Sequence, residues 1–281
     1  MKNIIKLVLL SLSFGIFSSQ AFASESEWAV ADEIQVRLIS AVDSIHESKE
    51  IEGAIQVKQS PGWHSYWRSP GESGLAPGFN WETSENIENV KVFHPVPKRF
   101  DEMGIKTFGH DGDILFPFTA ELIDETKPAR LNLQLTTMVC NEICVPQSAQ
   151  VSMELEKGKG ITSEHARIID FAKTKVPVIG DTDNLKIDNI TVTEKAVVIN
   201  TFSQKGYDRA DIFLEIGEFA MTEHPEFQIN GQDAKRAMVV FNIPEDIKEE
   251  FTHTPAPFAG VDITTTLTNG REAIEQTLVI K

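Results

Sequence analysis

The sequence predicts an all-β protein built from two β-sandwich domains that are joined by a short helical linker. Short segments of alternating apolar and polar residues recur along most of the chain, and turn residues separate them. Within residues 157–184, Ala166, Ile169 and Lys173 follow one another at helical spacing. With 281 residues, the chain is long enough for two domains, each with its own apolar core.

The first 23 residues have the composition of a secretory signal peptide. Lys2 and Lys6 precede an apolar run over residues 7–17, and the cleavage-site pattern Ala21-Phe22-Ala23 follows. The apolar run is too short for a transmembrane helix, and no later stretch approaches about 18 apolar residues. We expect cleavage after Ala23 and a soluble exported protein. The alternative is an uncleaved N-terminal anchor.

The charge of the chain argues against one class of partner. The formal net charge is −16, and cleavage of the signal peptide changes it to −18 because two lysines and no acidic residues are lost. Nucleic acid is a poor partner for such a chain, since its phosphates would be repelled. Ordinary solubility explains the acidity without a basic partner.

The first domain is predicted over residues 24–156. Alternation predicts strands at residues 34–38, 51–57, 90–93, 114–122, 131–135 and 151–155. A further strand would place Trp63 and Trp67 on one face, before a loop that contains Pro70 and Gly71. Aromatic clusters of β-proteins are core more often than ligand platforms, so we expect both tryptophans to be buried.

The linker is predicted over residues 157–184 and the second domain over residues 185–281. Thr162 or Ser163 can cap the linker helix, and Pro177 ends it. In the second domain, Asn269-Gly270 predicts a two-residue hairpin turn, and no candidate site is recognisable. Its strands are predicted at residues 185–192, 196–202, 212–216, 237–243, 261–267 and 273–280.

Cys140 and Cys144, the only two cysteines, form the candidate functional site. A disulfide needs Cα atoms within roughly 7 Å, whereas four extended residues span about 13 Å, so the segment must turn if the pair closes. So short a ring contributes roughly 2 kcal/mol of loop-closure entropy, against nearly 5 for about a hundred residues. Stability is a weak reason for this bridge, and in an exported protein the pair is typical of a redox-active dithiol.

Two other interpretations of the cysteine pair remain open. Thiolates suit Cu(I), for which Met103, Met138, His64 and His110 are the nearby candidate ligands. Alternatively, the pair is a small structural clip. A thioredoxin-like fold is not expected, because residues 120–160 contain no segment for the helix that this fold places at its cysteines.

Three motifs carry a resemblance to a known family. They are residues 63–74 (WHSYWRSPGESG), Phe116-Pro117 and residues 139–146 (VCNEICVP). Together they resemble the N-terminal periplasmic region of the DsbD and ScsB group of thiol:disulfide interchange reductases, in particular its ScsB type. The resemblance covers roughly residues 30–155 well and the second half only in outline.

The resemblance implies an immunoglobulin-like domain whose Cys140 and Cys144 exchange disulfides, with Cys144 forming the mixed disulfides. It also implies a cap loop over the pair. We place this cap at residues 101–104, with Asp101 and Glu102 in it and with Met103 or Phe108 as the shielding side chain.

Acidic residues near the pair would affect its chemistry. Carboxylates at Glu142, Asp101 and Glu102 would raise the pKa of the thiols, so the pair is expected to react when a partner docks. Alternatively, Glu142 points to solvent. The chain ends at Lys281, without the membrane-spanning transporter or the C-terminal thioredoxin domain of the full-length proteins, so we expect partners to supply those parts or the chain to have another role.

These observations predict a periplasmic thiol–disulfide exchange protein of the protein-disulfide reductase type, without a cofactor or a bound metal. Its expected partners are a thioredoxin-like or membrane thiol reductase and disulfide-containing periplasmic proteins. The alternative function is copper binding or copper tolerance through the same cysteines.

Overall fold

The computed structural model describes residues 24–251 and 258–280. The predicted signal peptide lies outside these residues. The described part consists mainly of β-strands with two short helices, α1 (Ala166–Lys173) and α2 (Glu245–Glu250), and this confirms the all-β prediction. Neither of these helices is long and apolar enough to cross a membrane.

The first domain is a sandwich of two sheets. One sheet has the order β1-β2-β3-β9-β6 and the other β11-β10-β4-β8-β7, with β5 paired to β10. The strands are β1 (Ala29–Val30), β2 (Ile34–Ser40), β3 (Glu50–Gln59), β4 (His64–Gly71), β5 (Gly78–Asn80), β6 (Ile87–Val92), β7 (Lys98–Glu102), β8 (Ile105–Asp111), β9 (Ile114–Leu122), β10 (Ala129–Cys140) and β11 (Cys144–Leu155).

The core of this sandwich follows from the alternation in the sequence. Leu38, Ile55 and Phe118 from one sheet meet Leu133 and Val151 from the other in a single buried cluster. Successive residues of a strand point to opposite faces, so the polar residues between them lie on the outer faces.

The linker helix packs on the first sandwich. Ile169 of α1 is buried against Ile39 and Ala54, and Lys173 forms an ion pair with Glu52. The Oγ of Ser163 accepts a hydrogen bond from the backbone N–H of His165, just before α1 begins. The linker therefore belongs structurally to the first domain at this point.

The second domain is also a sandwich, with sheets β12-β20-β19-β15-β16 and β13-β14-β18-β17. Ile199, Leu214, Phe241 and Ile263 from the two sheets share its core. The first strand, β12, lies within the predicted linker and pairs in parallel with β20. The strands are β12 (Val178–Ile179), β13 (Leu185–Val192), β14 (Ala196–Ser203), β15 (Ala210–Ile216), β16 (Phe219–Met221), β17 (Gln228–Asn230), β18 (Asp233–Asn242), β19 (Asp262–Asn269) and β20 (Glu272–Val279).

The predicted Asn269-Gly270 turn is displaced by one residue. Asn269 still pairs with Glu272, so the turn consists of Gly270 and Arg271. The side-chain amide of Asn269 donates hydrogen bonds to Ser203 Oγ and to the carbonyl of Gly206. The side chain of Asn269, which suggested a turn position, therefore binds residues 203–206 from the end of a strand.

The tryptophans of the aromatic segment are in different environments, so the prediction of one common face is wrong. Trp63 is partly buried against the core of the first sandwich. Trp67 is instead fully buried between Phe108 of its own domain and Phe213 of the second domain. The strand β4 also continues to Gly71, through the predicted loop, with an irregular register beyond Tyr66. Such an irregularity changes the face to which later side chains point.

The predicted cap loop at residues 101–104 is the end of a β-hairpin formed by β7 and β8. Glu102 pairs with Ile105 across a two-residue turn, Met103-Gly104, in which both residues have positive φ (54° and 86°). Two positive φ values in succession are typical of hairpin turns that match the strand twist. The segment expected to cap the cysteines is therefore part of the sheet that carries them, and we call it the cap hairpin (β7 and β8).

Candidate functional site

The two cysteines close the hairpin between β10 and β11. Cys140 and Cys144 lie directly opposite each other in the register and form a disulfide, with Cα atoms 4.1 Å apart. Residues 141–143 form the loop. The segment turns as its closure requires, and the antiparallel strands that flank it hold the two sulfur atoms together.

The two cysteines differ in exposure. Cys140 is 0% exposed, whereas Cys144 is an exposed residue. The cause is the strand order, because Cys144 lies on the edge strand β11 and Cys140 lies on β10, between β11 and β4. An attacking thiolate therefore has better access to Cys144.

The pair lies on the outer face of its sheet. Val139 points into the sandwich core, so Cys140, the next residue, points the other way. His64 of β4 is directly opposite Cys140 in the register, and Tyr66 lies two residues further along the same strand. This alternation brings His64 and Tyr66 to the face that carries the cysteines.

Tyr66 contacts both sulfur atoms. Its phenolic oxygen is 2.7 Å from Sγ of Cys140 and 3.5 Å from Sγ of Cys144. Burial, assisted by the charge of Glu102, raises the pKa of Tyr66 above its ordinary value of 10.0. The phenol therefore stays protonated at neutral pH and can donate a hydrogen bond to a thiolate formed at either cysteine.

Gly74, in the last part of the aromatic motif, makes room for this tyrosine. A Cβ atom at Gly74 would lie 2.3 Å from the Tyr66 ring, and the backbone φ of +98° is one that other residues rarely adopt. The motif therefore supplies both the phenol and the close backbone contact behind its ring.

His64 connects the cysteines to the cap hairpin. Its ring stacks on Phe100 with centroids 4.2 Å apart, and its Nδ1 lies 3.4 Å from Oε1 of Glu102. Burial lowers the pKa of His64, and the charges of Glu102 and Asp111 partly oppose this effect. Two side chains of β7 therefore contact the residue that pairs with Cys140.

The four residues predicted for the cap differ in their environments. Glu102 contacts His64, and the exposed Asp101 accepts a hydrogen bond from the backbone N–H of Gly104 at the turn. Met103 is 95% exposed at the tip. Phe108 is instead 1% exposed in the aromatic cluster with the second domain, so its side chain is used at the domain interface.

Sequence reasoning missed Phe100 and Tyr66 as parts of the site. Phe100 alternates with Glu102, so a strand over residues 98–102 would have placed both side chains on one face. The polar composition of that segment obscured the strand. Tyr66 lies within the quoted motif, but only the pairing of β4 with β10 brings it to the cysteines.

Of the four residues considered for copper, His64 lies opposite Cys140 in the register, whereas Met103 is exposed at the tip of the cap hairpin. His110 is buried beside Phe116, and Met138 is half-buried opposite Pro146 of β11. Within residues 24–251 and 258–280, no group of three or more His, Cys, Asp or Glu side chains is arranged to hold a metal ion. Glu142, between the cysteines, is exposed.

Comparisons with known proteins found a family match and a similar fold. The family model described as "Thiol:disulfide interchange protein DsbD, N-terminal" matches residues 35–156. The fold is similar to the crystal structure of the N-terminal periplasmic domain of ScsB from Proteus mirabilis, with a TM-score of 0.67 and 21% identity, over 92% of this chain and 98% of that chain. No curated protein sequence matches the chain.

Proposed function

We propose that this chain relays electrons by thiol–disulfide exchange through Cys140 and Cys144. The match of residues 35–156 to the family model of the DsbD N-terminal domain supports this proposal. The observation that carries the proposal is the asymmetry of the pair. An exposed Cys144 is bonded to a buried Cys140, and the hydroxyl of Tyr66 lies within reach of both sulfur atoms.

In the reductive half of the cycle, a thiolate of a partner dithiol attacks Sγ of Cys144. A mixed disulfide forms, the Cys140–Cys144 bond breaks, and Cys140 leaves as a thiolate that accepts a hydrogen bond from Tyr66. The second thiolate of the partner then attacks the partner's own sulfur and releases Cys144 as a thiolate. Two electrons have moved, and the partner now holds the disulfide.

In the oxidative half, the Cys144 thiolate attacks a substrate disulfide and forms a second mixed disulfide. Cys140 then attacks Sγ of Cys144, which restores the internal bond and releases the substrate as a dithiol. Tyr66 assists in this half by donating a hydrogen bond to the Cys140 thiolate until the attack, because its hydroxyl lies 2.7 Å from that sulfur in the disulfide form.

The cap hairpin would give this exchange its selectivity. Phe100 and Glu102 contact His64 beside Cys140, while Met103 extends from the tip where an approaching partner would meet it. Exchange depends on access as well as on the fraction of thiolate, so a cap that moves for a docked protein would exclude small oxidants. Asp101 supports the cap through its hydrogen bond at the turn.

We place this reaction in the periplasm, after removal of a signal peptide over residues 1–23. The donor would be a thioredoxin-like or membrane thiol reductase, and the acceptors disulfide-containing periplasmic proteins. We assign residues 24–156 to the redox domain, 157–184 to the linker and 185–281 to the second domain. Two separate buried cores support this division.

Trapping in the periplasm tests the proposal. In Cys140→Ser, the exposed Cys144 keeps its partner as a lasting mixed disulfide, because no second thiol resolves it. In Cys144→Ser, the remaining thiol is buried and should capture little. We expect capture by the first variant of proteins that carry a dithiol or a disulfide. Equal capture by both variants, or capture by neither, would contradict the proposed role.

A further inference from the structure

The cap hairpin has two faces that contact different parts of the molecule. In its register Arg99 pairs with Phe108, and Phe100 pairs with Thr107. Directly opposed residues lie on the same face and neighbours along a strand lie on opposite faces. Arg99 and Phe108 therefore share one face, and Phe100 lies on the other.

The face with Arg99 binds the second domain. The guanidinium of Arg99 forms a bidentate ion pair with Asp211, at 2.9 and 3.1 Å. It also donates hydrogen bonds to the carbonyls of Ile212, Thr222 and Glu223. The side chain is only 11% exposed, so these charge-assisted bonds are largely removed from water.

Aromatic and ionic contacts extend this interface. Phe108 packs edge-on against Phe213 with centroids 5.1 Å apart, and the guanidinium of Arg99 lies 4.9 Å from each ring. Beside them, Arg68 of β4 forms ion pairs with Glu215 and Glu275 of the second domain. Both β4 and the hairpin base are therefore attached to the second sandwich.

The opposite face of the hairpin contacts the site through Phe100 and Glu102, which both meet His64. Adjacent residues of β7 thus contact the second domain on one side and the neighbour of Cys140 on the other. Beyond Glu102 the tip is exposed, with Met103 at 95% and Ile105 at 44%. The base is held by many contacts and the tip by few.

We propose that the second domain positions the cap hairpin over the cysteine pair, with Arg99 as the positioning residue. This inference rests on the proposed function and assigns a role to the domain that carries no cysteines. The second sandwich holds the hairpin base so that Phe100 stays on His64, and opening for a partner is confined to the tip, residues 101–105. Loss of the Arg99–Asp211 bond would loosen the base and increase access to the buried Cys140.

The test uses the full chain in the variants Arg99→Gln, Asp211→Asn and the double variant. Alkylation of Cys140 by iodoacetamide, in versions of these proteins that also carry Cys144→Ser, measures access to the buried thiol. Hydrogen exchange over residues 98–111 in the proteins with both cysteines measures local opening. The matched control is Arg130→Gln, which removes an exposed arginine that pairs with Glu85 and Glu154 far along β10 from the cysteines.

We expect each single variant to alkylate about tenfold faster than the wild type, the change expected from loss of roughly one charge-assisted hydrogen bond. The double variant should react no faster than Arg99→Gln, because the two residues form one interaction. The equilibrium with a dithiol–disulfide buffer should not move, since access changes and thiol chemistry does not. Arg130→Gln should behave as wild type.

Unchanged alkylation and unchanged exchange over residues 98–111 in folded Arg99→Gln would overturn the positioning role. If Arg99→Gln does not fold, Asp211→Asn, which keeps the side-chain shape, decides in the same way. Failure of the proposed function looks different. In that case the reduced wild-type protein would fail to transfer its electrons to any protein disulfide, whatever the Arg99 variants do.

Discussion

The hydroxyl of Tyr66 lies 2.7 Å from the buried sulfur of Cys140 and 3.5 Å from the exposed sulfur of Cys144. A buried thiolate at Cys140 lacks the hydration that would stabilise it in water. The phenol, whose own pKa is raised by burial, is a donor placed to offset that cost. The reduced state of the pair thus depends on a residue 74 positions away in the chain.

Replacement of this tyrosine should change the reduction potential. In Tyr66→Phe the reduced form loses a hydrogen bond to a charged group, worth about 1.5 to 3 kcal/mol, when Cys140 is ionised. The disulfide then becomes harder to reduce, and the potential should fall by roughly 30 to 60 mV. Equilibration with a dithiol buffer of known potential measures the change.

Tyr207→Phe is the matched control for that measurement. Tyr207 is also buried and donates its hydroxyl to backbone carbonyls, at Thr201 and Lys235, but it lies in the second domain. Its loss should affect stability and leave the potential unchanged. A Tyr66→Phe protein with the wild-type potential and the wild-type pKa of the Cys140 thiol would argue against the role of the phenol.

Phe108 and Met103 should differ sharply in their contribution to stability. Phe108 is 1% exposed among Trp67, Phe213 and the guanidinium of Arg99, so Phe108→Ala should cost about 3 to 5 kcal/mol. Met103 is 95% exposed, so Met103→Ala should change stability by less than about 0.5 kcal/mol. Urea unfolding of the two variants gives both values.

The variants Phe108→Ala and Met103→Ala also distinguish attachment of the cap hairpin to the second domain from contact of its tip with a partner. Met103→Ala should slow exchange with a protein partner while its reaction with a small disulfide stays near that of the wild type, because the side chain lies at the tip. A Phe108→Ala protein as stable as the wild type would show that the aromatic cluster does not hold the domains together.

A buried histidine, His110, and a half-buried one, His94, should make the first domain sensitive to acid. His94 and His110 pack around Phe116, and burial is the main cause that lowers their pKa values to about 4 and about 3. The positive charge of Arg68 adds to the effect at His94, and the neighbouring His94 adds to it at His110. Both imidazoles therefore remain neutral in the folded protein.

The direction of the pH effect follows from proton binding. In the unfolded chain these histidines protonate near their ordinary pKa of 6.5, so between about pH 6.5 and pH 3 the unfolded state binds more protons. The free energy of unfolding should keep its full value above pH 6.5 and decrease as the pH falls below it. At pH 5 the loss should be roughly 2 kcal/mol for each histidine.

Unfolding free energies in urea at pH 5 and pH 7.5 measure this loss. His110→Gln should reduce the pH dependence, whereas His224→Gln, at an exposed position of the second domain, should leave it as in the wild type. Equal pH dependence in His110→Gln and the wild type would show that His110 is not the group responsible.

The sequence predicted the long strands well where one face is core and the other is solvent. The bounds of β9 (Ile114–Leu122) and β13 (Leu185–Val192) agree with the prediction, because apolar and polar residues alternate visibly in such strands. Strands of two or three residues, such as β1 and β12, are too short to show a period and were missed. The cysteine pair was identified because no other cysteines compete with it.

The cap hairpin was misread as a loop for a physical reason. Neither of its faces is simply core or solvent, because Arg99 and Phe108 pack on the second domain while Phe100 and Glu102 contact His64. The residues that suit these contacts are a mixture of charged and aromatic types. No apolar period of two can then appear in the sequence.

The sequence alone determined that this chain is a β-protein with one closely spaced cysteine pair, since alternation and spacing are local properties. Which sulfur is exposed depends on the strand order, with β11 at the edge of its sheet and β10 beside β4. The contact of Tyr66 with Cys140 depends on the pairing of β4 with β10, and the ion pair of Arg99 with Asp211 depends on the packing of the two domains. These contacts join residues 74 and 112 positions apart in the chain. They form only when the sheets and domains pack, so a local sequence pattern cannot predict them.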